Sequence, residues 1–117
     1  FIKAHFNRPK SCVMTMMVNY VDNCKNFGMI TKNRKNILID FNEKPKVSNS
    51  NLANSAIYIL SPQFIKATIN IKYKKDFSTE VIPYLLDKIY CFVTTKENID
   101  IGIRENFNKI NRLYLSK

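Results

Sequence analysis

A short run of alternating side chains, Ile37 to Phe41, is the feature that most constrains how this chain can fold. Its odd-numbered residues, Ile39 among them, are apolar, and this period of two predicts a β-strand with those side chains buried on one face. The strand continues to Glu43 and Lys44 and ends at Pro45, because proline has no N–H to extend a hydrogen-bonded ladder. A rigid strand end therefore presents a carboxylate beside an ammonium group, as α/β enzymes do at ligand sites. A solvated ion pair before a turn is the alternative interpretation.

Other apolar runs predict further strands around this one. Cys12 to Val18 is apolar at both alternating sets of positions, which favours a central strand buried on two faces, with its methionines packed in the core. Phe27 to Thr31 and Ile37 to Phe41 flank a short polar stretch and predict a hairpin. Two more strand-like runs are Asn54 to Leu60 and Tyr90 to Thr94.

Helix signals lie between these strands. Pro9 closes an amphipathic helix that places Ile2, His5 and Phe6 on one side, where His5 is structural. Later helices are predicted to begin at Ser61-Pro62, at Asp76 or Ser78, and after Gly102, the last with an apolar stripe of Phe107, Ile110 and Tyr114. Strands alternate with helices and one hairpin interrupts the pattern, so we predict one α/β domain with a mixed sheet.

The charge balance indicates an affinity for phosphates. Nineteen basic and nine acidic side chains give a net charge of +10, which attracts polyanions of any kind. The scattered cations are Lys32, Arg34, Lys35, Lys44, Lys46, Lys72, Lys74 and Lys75. Exposed aromatic residues do not alternate with them regularly, as a surface for single-stranded nucleic acid would require. We interpret them as solvated faces, and nucleic-acid binding is the minor alternative.

The cysteines and the longest apolar run bear on the compartment. Cys12, Cys24 and Cys91 are odd in number and far apart, without a CxxC motif, so we predict free thiols and neither a disulfide framework nor a zinc site. The run from Val13 to Val18 is too short to cross a bilayer, and no signal-peptide pattern begins the chain. These features predict a soluble cytoplasmic protein.

Several short motifs follow one another in a specific order. They are Gly28 on a strand, Phe41-Asn42-Glu43-Lys44-Pro45, Asn54-Ser55-Ala56-Ile57-Tyr58, Asp76-Phe77-Ser78-Thr79-Glu80-Val81-Ile82-Pro83 and Asp100-Ile101-Gly102. Each motif is weak alone. Their order over Gly28 to Phe107 resembles the C-terminal half of the sugar-phosphate nucleotidylyltransferase family, which includes glucose-1-phosphate, mannose-1-phosphate and heptose-1-phosphate enzymes. The likeness extends more faintly back to His5.

The resemblance implies a Rossmann-like fold of the glycosyltransferase-A type and a nucleotidyl transfer reaction. Such enzymes join a nucleoside triphosphate to a sugar 1-phosphate and release pyrophosphate. Because both substrates are polyanions, catalysis is mainly positioning and charge neutralisation, with Mg²⁺ bridging the phosphates. The implied partners are these two substrates, without nucleic acid or membrane.

The resemblance also implies roles for matching residues. Glu43 would accept hydrogen bonds from sugar hydroxyls, and Lys44, the catalytic residue, would bind the sugar phosphate during in-line attack. Gly28 would let the backbone approach the sugar ring, and Asn54 would hydrogen-bond a hydroxyl. Asp100 would be an oxygen ligand for Mg²⁺, which one or two carboxylates plus phosphates satisfy.

The chain departs from the family pattern at two positions. Ala56 stands where the family usually has glycine, which is expected to narrow the sugar pocket. Ile103-Arg104 replaces the usual Thr-Pro, so the last helix lacks an N-cap hydroxyl, a cost of about 1 kcal/mol.

Two family elements are also missing from the chain. The glycine-rich triphosphate loop has no counterpart, since the only glycines are Gly28 and Gly102. The aspartate that partners Asp100 in the family precedes the stretch matched here and is also absent. We therefore expect residues 1–117 to be the C-terminal, sugar-phosphate-binding part of a nucleotidyltransferase domain, inactive in isolation. A non-catalytic binding or interaction module derived from that family is the alternative. An open edge on the strand Cys12 to Val18 and an uncovered apolar face are expected to favour self-association.

Overall fold

One mixed sheet organises the computed structural model, which describes residues 1–72 and 75–117. Its strands are β1 (Met14–Tyr20), β2 (Gly28–Lys32), β3 (Leu38–Glu43), β4 (Leu52–Leu60) and β5 (Ile89–Thr94). They lie in the order β3-β2-β4-β1-β5, and only the β1–β5 pair is parallel among the described pairings. The mixed α/β sheet and its hairpin confirm the prediction. Lys74, one of the scattered cations, lies outside the described residues.

Helices and turns connect the strands. The α-helices are α1 (Ile2–Phe6), α2 (Pro62–Thr68) and α3 (Arg104–Leu115), and a 3₁₀ turn spans Cys24–Asn26. Ser61 precedes α2 and Pro62 occupies its first turn, as predicted, although the Ser61 hydroxyl donates to the carbonyl of Val13 at 2.7 Å and does not cap the helix. Within the described residues no helix has the length and apolar character needed to span a membrane.

Strand β1 lies in the interior of the sheet. It pairs with β4 on one side and with β5 on the other, and the side chains of Met14, Met16 and Val18 are fully buried. The predicted central strand is thus confirmed. The open edge that we expected for it is wrong, because β4 and β5 occupy both of its edges. Self-association stays a prediction and would have to use other surfaces.

A bulge in β3 changes which side chains enter the core. Thr31 pairs with Asp40 and Lys32 with Leu38, so Ile39 is an extra residue on this strand. An extra residue in one strand reverses which of its side chains point toward the core on the two sides of the bulge. Leu38 is fully buried, whereas Ile39 is 44% exposed. The prediction that Ile39 is buried is therefore wrong, while Phe41, beyond the bulge, is buried as expected.

A second bulge interrupts β4 where it crosses the middle of β1. Met16 pairs with Tyr58 and Val18 with Asn54, so residues 55–57 of β4 face a single residue of β1. Ala56, in the middle of this β4 bulge, has a φ of 56°. A residue with a Cβ is disfavoured there by about 1–2 kcal/mol, and this explains why glycine suits the position.

The segment after Asp76 is not the regular helix that we predicted. A π-turn at Phe77–Val81 is followed by a 3₁₀ turn at Ile82–Leu85. Asp76 caps the first turn as predicted, because its Oδ1 accepts from the amide of Thr79 at 2.8 Å. Pro83 has no N–H for an α-helical bond, so the chain tightens there. Ile82 and Leu85 still enter the core as expected.

The two terminal helices are less buried than their apolar stripes predict. In α1 only His5 is buried, with Nδ1 2.8 Å from Thr15 Oγ1, whereas Ile2 and Phe6 are exposed. In α3, Phe107 is 47% and Tyr114 72% exposed. Ile103 provides no side-chain cap to α3, as expected.

The buried cysteines agree with the prediction of free thiols. Cys12 and Cys91 are buried and unbonded, and Cys24 is half-buried and also free. Burial raises the pKa of Cys91 to about 12, so this thiol is neutral at physiological pH.

Candidate functional site

The β2–β3 hairpin brings Gly28, Glu43 and Lys44 together. Gly28 pairs directly with Glu43 across the two strands. The next amide, of Lys44, donates to the carbonyl of Phe27 at 2.9 Å. Lys44 has a φ of 46°, a left-handed conformation that non-glycine residues rarely adopt. This hydrogen bond and the following proline hold the lysine in a turned position at the end of β3.

Gly28 leaves room for its neighbours. A Cβ at this position would lie 2.6 Å from Cζ of Phe41 and 3.0 Å from Oε2 of Glu43. Both distances are shorter than ordinary carbon contacts, so the Phe41 ring and the Glu43 carboxylate sit directly over the Gly28 backbone. Within the chain itself, the side chains of Phe41 and Glu43 approach this glycine closely. The approach of a sugar ring to Gly28 stays a prediction.

Asn54 is placed at the start of the β4 bulge and its side chain bridges it. Its Oδ1 accepts from the amide of Ala56 at 2.9 Å, and its Nδ2 donates to Oη of Tyr58 at 2.7 Å. The amide group therefore fixes the bulge from inside. Asn54 keeps one amide proton and one lone pair of Oδ1 for a hydrogen bond to a sugar hydroxyl.

Asp100 belongs to the segment between β5 and α3, residues 95–103, which we call the carboxylate loop. Its Oδ1 accepts from the amide of Gly102 at 2.8 Å, and its carbonyl accepts from Nδ2 of Asn106 in α3 at 3.0 Å. No three His, Cys, Asp or Glu side chains converge as a metal site in residues 1–72 and 75–117. Asp100 is a hard oxygen donor of the kind that Mg²⁺ prefers.

A cleft of about 420 Å³ brings three of the predicted residues together. Gly28, Asn54 and Asp100 all line it, although they come from β2, β4 and the carboxylate loop. Glu43 and Lys44 are not among its lining residues, although Oε2 of Glu43 lies over Gly28, which lines it. The other lining residues are Asn26, Phe27, Ser55, Ala56, Ser78, Asn98, Ile99 and Ile101.

Three further polar residues near this cleft were not predicted as site residues. Tyr58, Asp76 and Ser78 interact with the predicted ones. Burial raises the pKa of Tyr58, and the nearby Glu43 and Asp76 carboxylates raise it further. Hydrogen bonds with Asn54 and Ser78 lower this pKa and so oppose part of the rise. The cap bond from Thr79 lowers the pKa of Asp76, and the Lys44 ammonium adds to this effect. The motif containing Asp76 was the available signal, but it was read as a helix cap alone.

A second cleft of about 460 Å³ adjoins the first and shares Phe27, Asn54, Asn98 and Asp100 with it. It lies at the carboxyl ends of the parallel strands β1 and β5, where Asn19 pairs with Thr94. Ligands of α/β sheets bind at this end of the strands. Asn98 faces both clefts, and no motif in the sequence indicated it.

Comparison with protein families gives a match over the whole chain. The family described as Nucleotidyl transferase matches residues 1–117. A glucose-1-phosphate adenylyltransferase of Mycoplasma mobile is 28% identical over 116 residues, covering 91% of this chain and 30% of that protein. A glucose-1-phosphate adenylyltransferase of Bacillus cereus is 33% identical over 72 residues, or 57% of this chain and 19% of that protein.

Solved structures share the fold. A Bacillus anthracis protein described as a candidate glucose-1-phosphate thymidylyltransferase superposes with a TM-score of 0.74 at 18% identity, over 96% of this chain and 46% of that one. HddC of Yersinia pseudotuberculosis superposes with a TM-score of 0.70 at 23% identity, over 97% of this chain and 49% of that one. The chain thus spans about a third of its curated relative from Mycoplasma mobile and about half of these structures.

Proposed function

Because this chain belongs to the nucleotidyl transferase family, we propose that it is the C-terminal, sugar-phosphate-binding part of a sugar-1-phosphate nucleotidyltransferase. The complete enzyme would join a nucleoside triphosphate to a sugar 1-phosphate and release pyrophosphate. The names of the similar adenylyltransferases give glucose 1-phosphate as their substrate. The residues that cradle the triphosphate would lie outside these 117.

One observation supports this proposal above the others. Gly28, Asn54 and Asp100 are up to 72 positions apart in the chain yet line the same cleft, with Glu43 over Gly28. A carboxylate and an amide suit sugar hydroxyls, and Gly28 leaves room for the Glu43 carboxylate. The neighbouring Lys44 suits a phosphate.

The proposed chemistry assigns a task to each group. Glu43 orients the sugar by accepting from its hydroxyls, while the Lys44 ammonium neutralises the sugar phosphate as it attacks. Tyr58 and Asp76, which interact electrostatically with Glu43 and Lys44, would keep the surroundings of this pair polar. Bound Mg²⁺ would neutralise and align the phosphates, and Asp100 is the residue here that would hold it.

Binding measurements on the 117-residue chain test the proposal. We expect glucose 1-phosphate to bind, and Lys44→Ala to weaken binding at least about tenfold, since a charge-assisted hydrogen bond contributes about 1.5–3 kcal/mol. Lys46→Ala, which removes an exposed lysine two positions away, is the matched control. Equal affinities of Lys44→Ala and wild type in isothermal titration calorimetry would refute the role of Lys44.

An activity assay tests the second part of the proposal. We expect no pyrophosphate release when the chain alone is mixed with sugar 1-phosphate, Mg²⁺ and each nucleoside triphosphate. Robust release would mean that the chain carries its own triphosphate site.

A non-catalytic sugar-phosphate-binding module is a second candidate. It is favoured by the uncapped start of α3 at Ile103, the last residue of the carboxylate loop, and by the strained Ala56, which lines the cleft. The coding sequence upstream of Phe1 distinguishes the two. A glycine-rich loop with Arg and Lys there supports the enzyme, and a start codon beside Phe1 supports the module.

A further inference from the structure

The β4 bulge places one buried serine, Ser55, between β1 and the carboxylate loop. Ser55 lies in the bulge, where residues 55–57 of β4 face one residue of β1, so it leaves the regular ladder. Its Oγ donates to Oδ1 of Asn19 in β1 at 2.6 Å. Its carbonyl accepts from Nδ2 of Asn98 at 3.0 Å. The bulge is thus tied to β1 on one side and to the carboxylate loop on the other.

Asn98 is two residues before Asp100, so its anchor governs where that carboxylate lies. Asp100 itself accepts hydrogen bonds from Gly102, in the same loop, and from Asn106, in α3. These bonds set the local shape of the loop, and they do not join it to the wall formed by Gly28 and Asn54. The ion pair between Glu97 and Lys109, 3.0 Å long, also joins the loop to α3 and is exposed to solvent. Such a pair holds little by itself.

We propose that Asn98 is a positioning residue: through the Ser55 carbonyl it fixes Asp100 opposite Gly28 and Asn54. This rests on the proposed function, in which Asp100 binds Mg²⁺ and the β2–β4 wall binds the sugar phosphate. The side-chain amide is needed as a donor, because a backbone carbonyl can only accept. A side chain of similar size without an N–H leaves the Ser55 carbonyl unpaired and releases the loop.

Three variants separate the position of the loop from its chemistry. Asn98→Leu removes the donor at similar size, Asn98→Gln keeps a donor, and Asn108→Leu makes the same change at an exposed position of α3. Amide hydrogen exchange of residues 96–102 reports the loop directly. We expect at least fivefold faster exchange in Asn98→Leu, partial recovery in Asn98→Gln, and wild-type rates in Asn108→Leu. Wild-type exchange in a folded Asn98→Leu overturns the proposal.

Metal dependence supplies a readout that a purely structural role would not move. Glucose 1-phosphate affinity is measured with and without Mg²⁺ in wild type, Asn98→Leu and Asp100→Asn. We expect Mg²⁺ to tighten binding in wild type, and both variants to lose most of that gain while keeping their metal-free affinity. Full metal dependence in Asn98→Leu overturns the positioning role.

The two failures are distinguishable. If wild type shows no effect of Mg²⁺, the proposed metal role of Asp100 fails, and hydrogen exchange alone then decides whether Asn98 anchors the loop. If Asn98→Leu does not fold, Asn98→Asp decides, because it keeps the shape of Asn98 and has no N–H to donate. At least fivefold faster exchange of residues 96–102 in Asn98→Asp supports the anchor through the Ser55 carbonyl, and wild-type exchange overturns it.

Discussion

The hairpin and the carboxylate loop contribute to the same cleft but are held in place by different forces. Gly28 and Glu43 are directly paired in a ladder of backbone hydrogen bonds, with Phe41 packed over the glycine. Asp100 belongs to a segment with no regular structure, tied by the side chains of Asn98 and Asn106. The hairpin is therefore rigid because of the fold, and the carboxylate loop depends on single side chains. We expect substitutions in the hairpin to cost stability and those in the loop to change ligand binding.

The largest effect is expected from the core side of β3. Leu38→Ala removes a fully buried side chain and should lower the free energy of unfolding by about 3 kcal/mol. Ile39→Ala, at the bulged residue next to it, should cost less than about 1 kcal/mol because that side chain is already half in solvent. Urea denaturation of both variants measures the difference. A larger loss for Ile39→Ala would mean that the bulge is absent in solution.

The two glycines compare the hairpin and the loop directly. Gly28→Ala puts a Cβ against Phe41 and Glu43, so it should lower the free energy of unfolding by about 2 kcal/mol and abolish glucose 1-phosphate binding. In Gly102→Ala the nearest atoms to the new Cβ all belong to the Asp100 carboxylate, with Oδ1 at 3.0 Å, and this exposed side chain can move. Its cost should stay within about 0.5 kcal/mol. Equal melting temperatures of the two variants would contradict the contrast.

Ala56 lies where the two regions meet, in the β4 bulge. Ala56→Gly relieves the left-handed backbone and should raise the free energy of unfolding by roughly 0.5 kcal/mol, after the entropy cost of glycine is subtracted. Ala67→Gly in α2 is the matched control and should lower it by about 1 kcal/mol. Thermal unfolding distinguishes the signs. Destabilisation by Ala56→Gly would indicate that φ at this position is not positive in solution.

The smallest effect is a dependence on pH through Asp76, beside the hairpin. Folding lowers the pKa of Asp76 below its ordinary value of 3.8, so the unfolded chain binds more protons between the folded value and 3.8. The stabilisation is present above pH 3.8 and is lost as pH falls through the folded value. Asp76→Asn keeps a capping oxygen but does not titrate, so its stability should fall less than wild type in this range. Asp22→Asn, at an exposed carboxylate, is the control, and a wild-type acid profile in Asp76→Asn would rule out this role.

Much of the sheet follows from local patterns. The hairpin, the central strand and β5 were predicted because their apolar periodicity and their turn residues are local signals. The end of β3 at Pro45 and the cap at Asp76 also depend on chemistry within a few residues. The order of the motifs, compared with a known family, supplied Gly28, Asn54 and Asp100 as candidates for one site.

Other features depend on contacts between distant segments. The bulge that exposes Ile39 follows from pairing with β2, and the one that strains Ala56 follows from pairing with β1. Alternation along one strand carries no information about an extra residue opposite another strand. Asn98 was missed for the same reason, because its partner is the carbonyl of Ser55, 43 positions earlier.

The α/β class, the hairpin and the family could all be predicted before folding is considered, since they rest on side-chain periodicity and on the order of short motifs. Folding brings Gly28, Asn54 and Asp100 to one cleft and Glu43 over Gly28, and it joins the carboxylate loop to β4 through Asn98. The contact of Asn98 was not predictable because a backbone carbonyl accepts a hydrogen bond whatever its side chain. A contact of this kind therefore leaves no mark at the accepting position and appears only when the chain has folded.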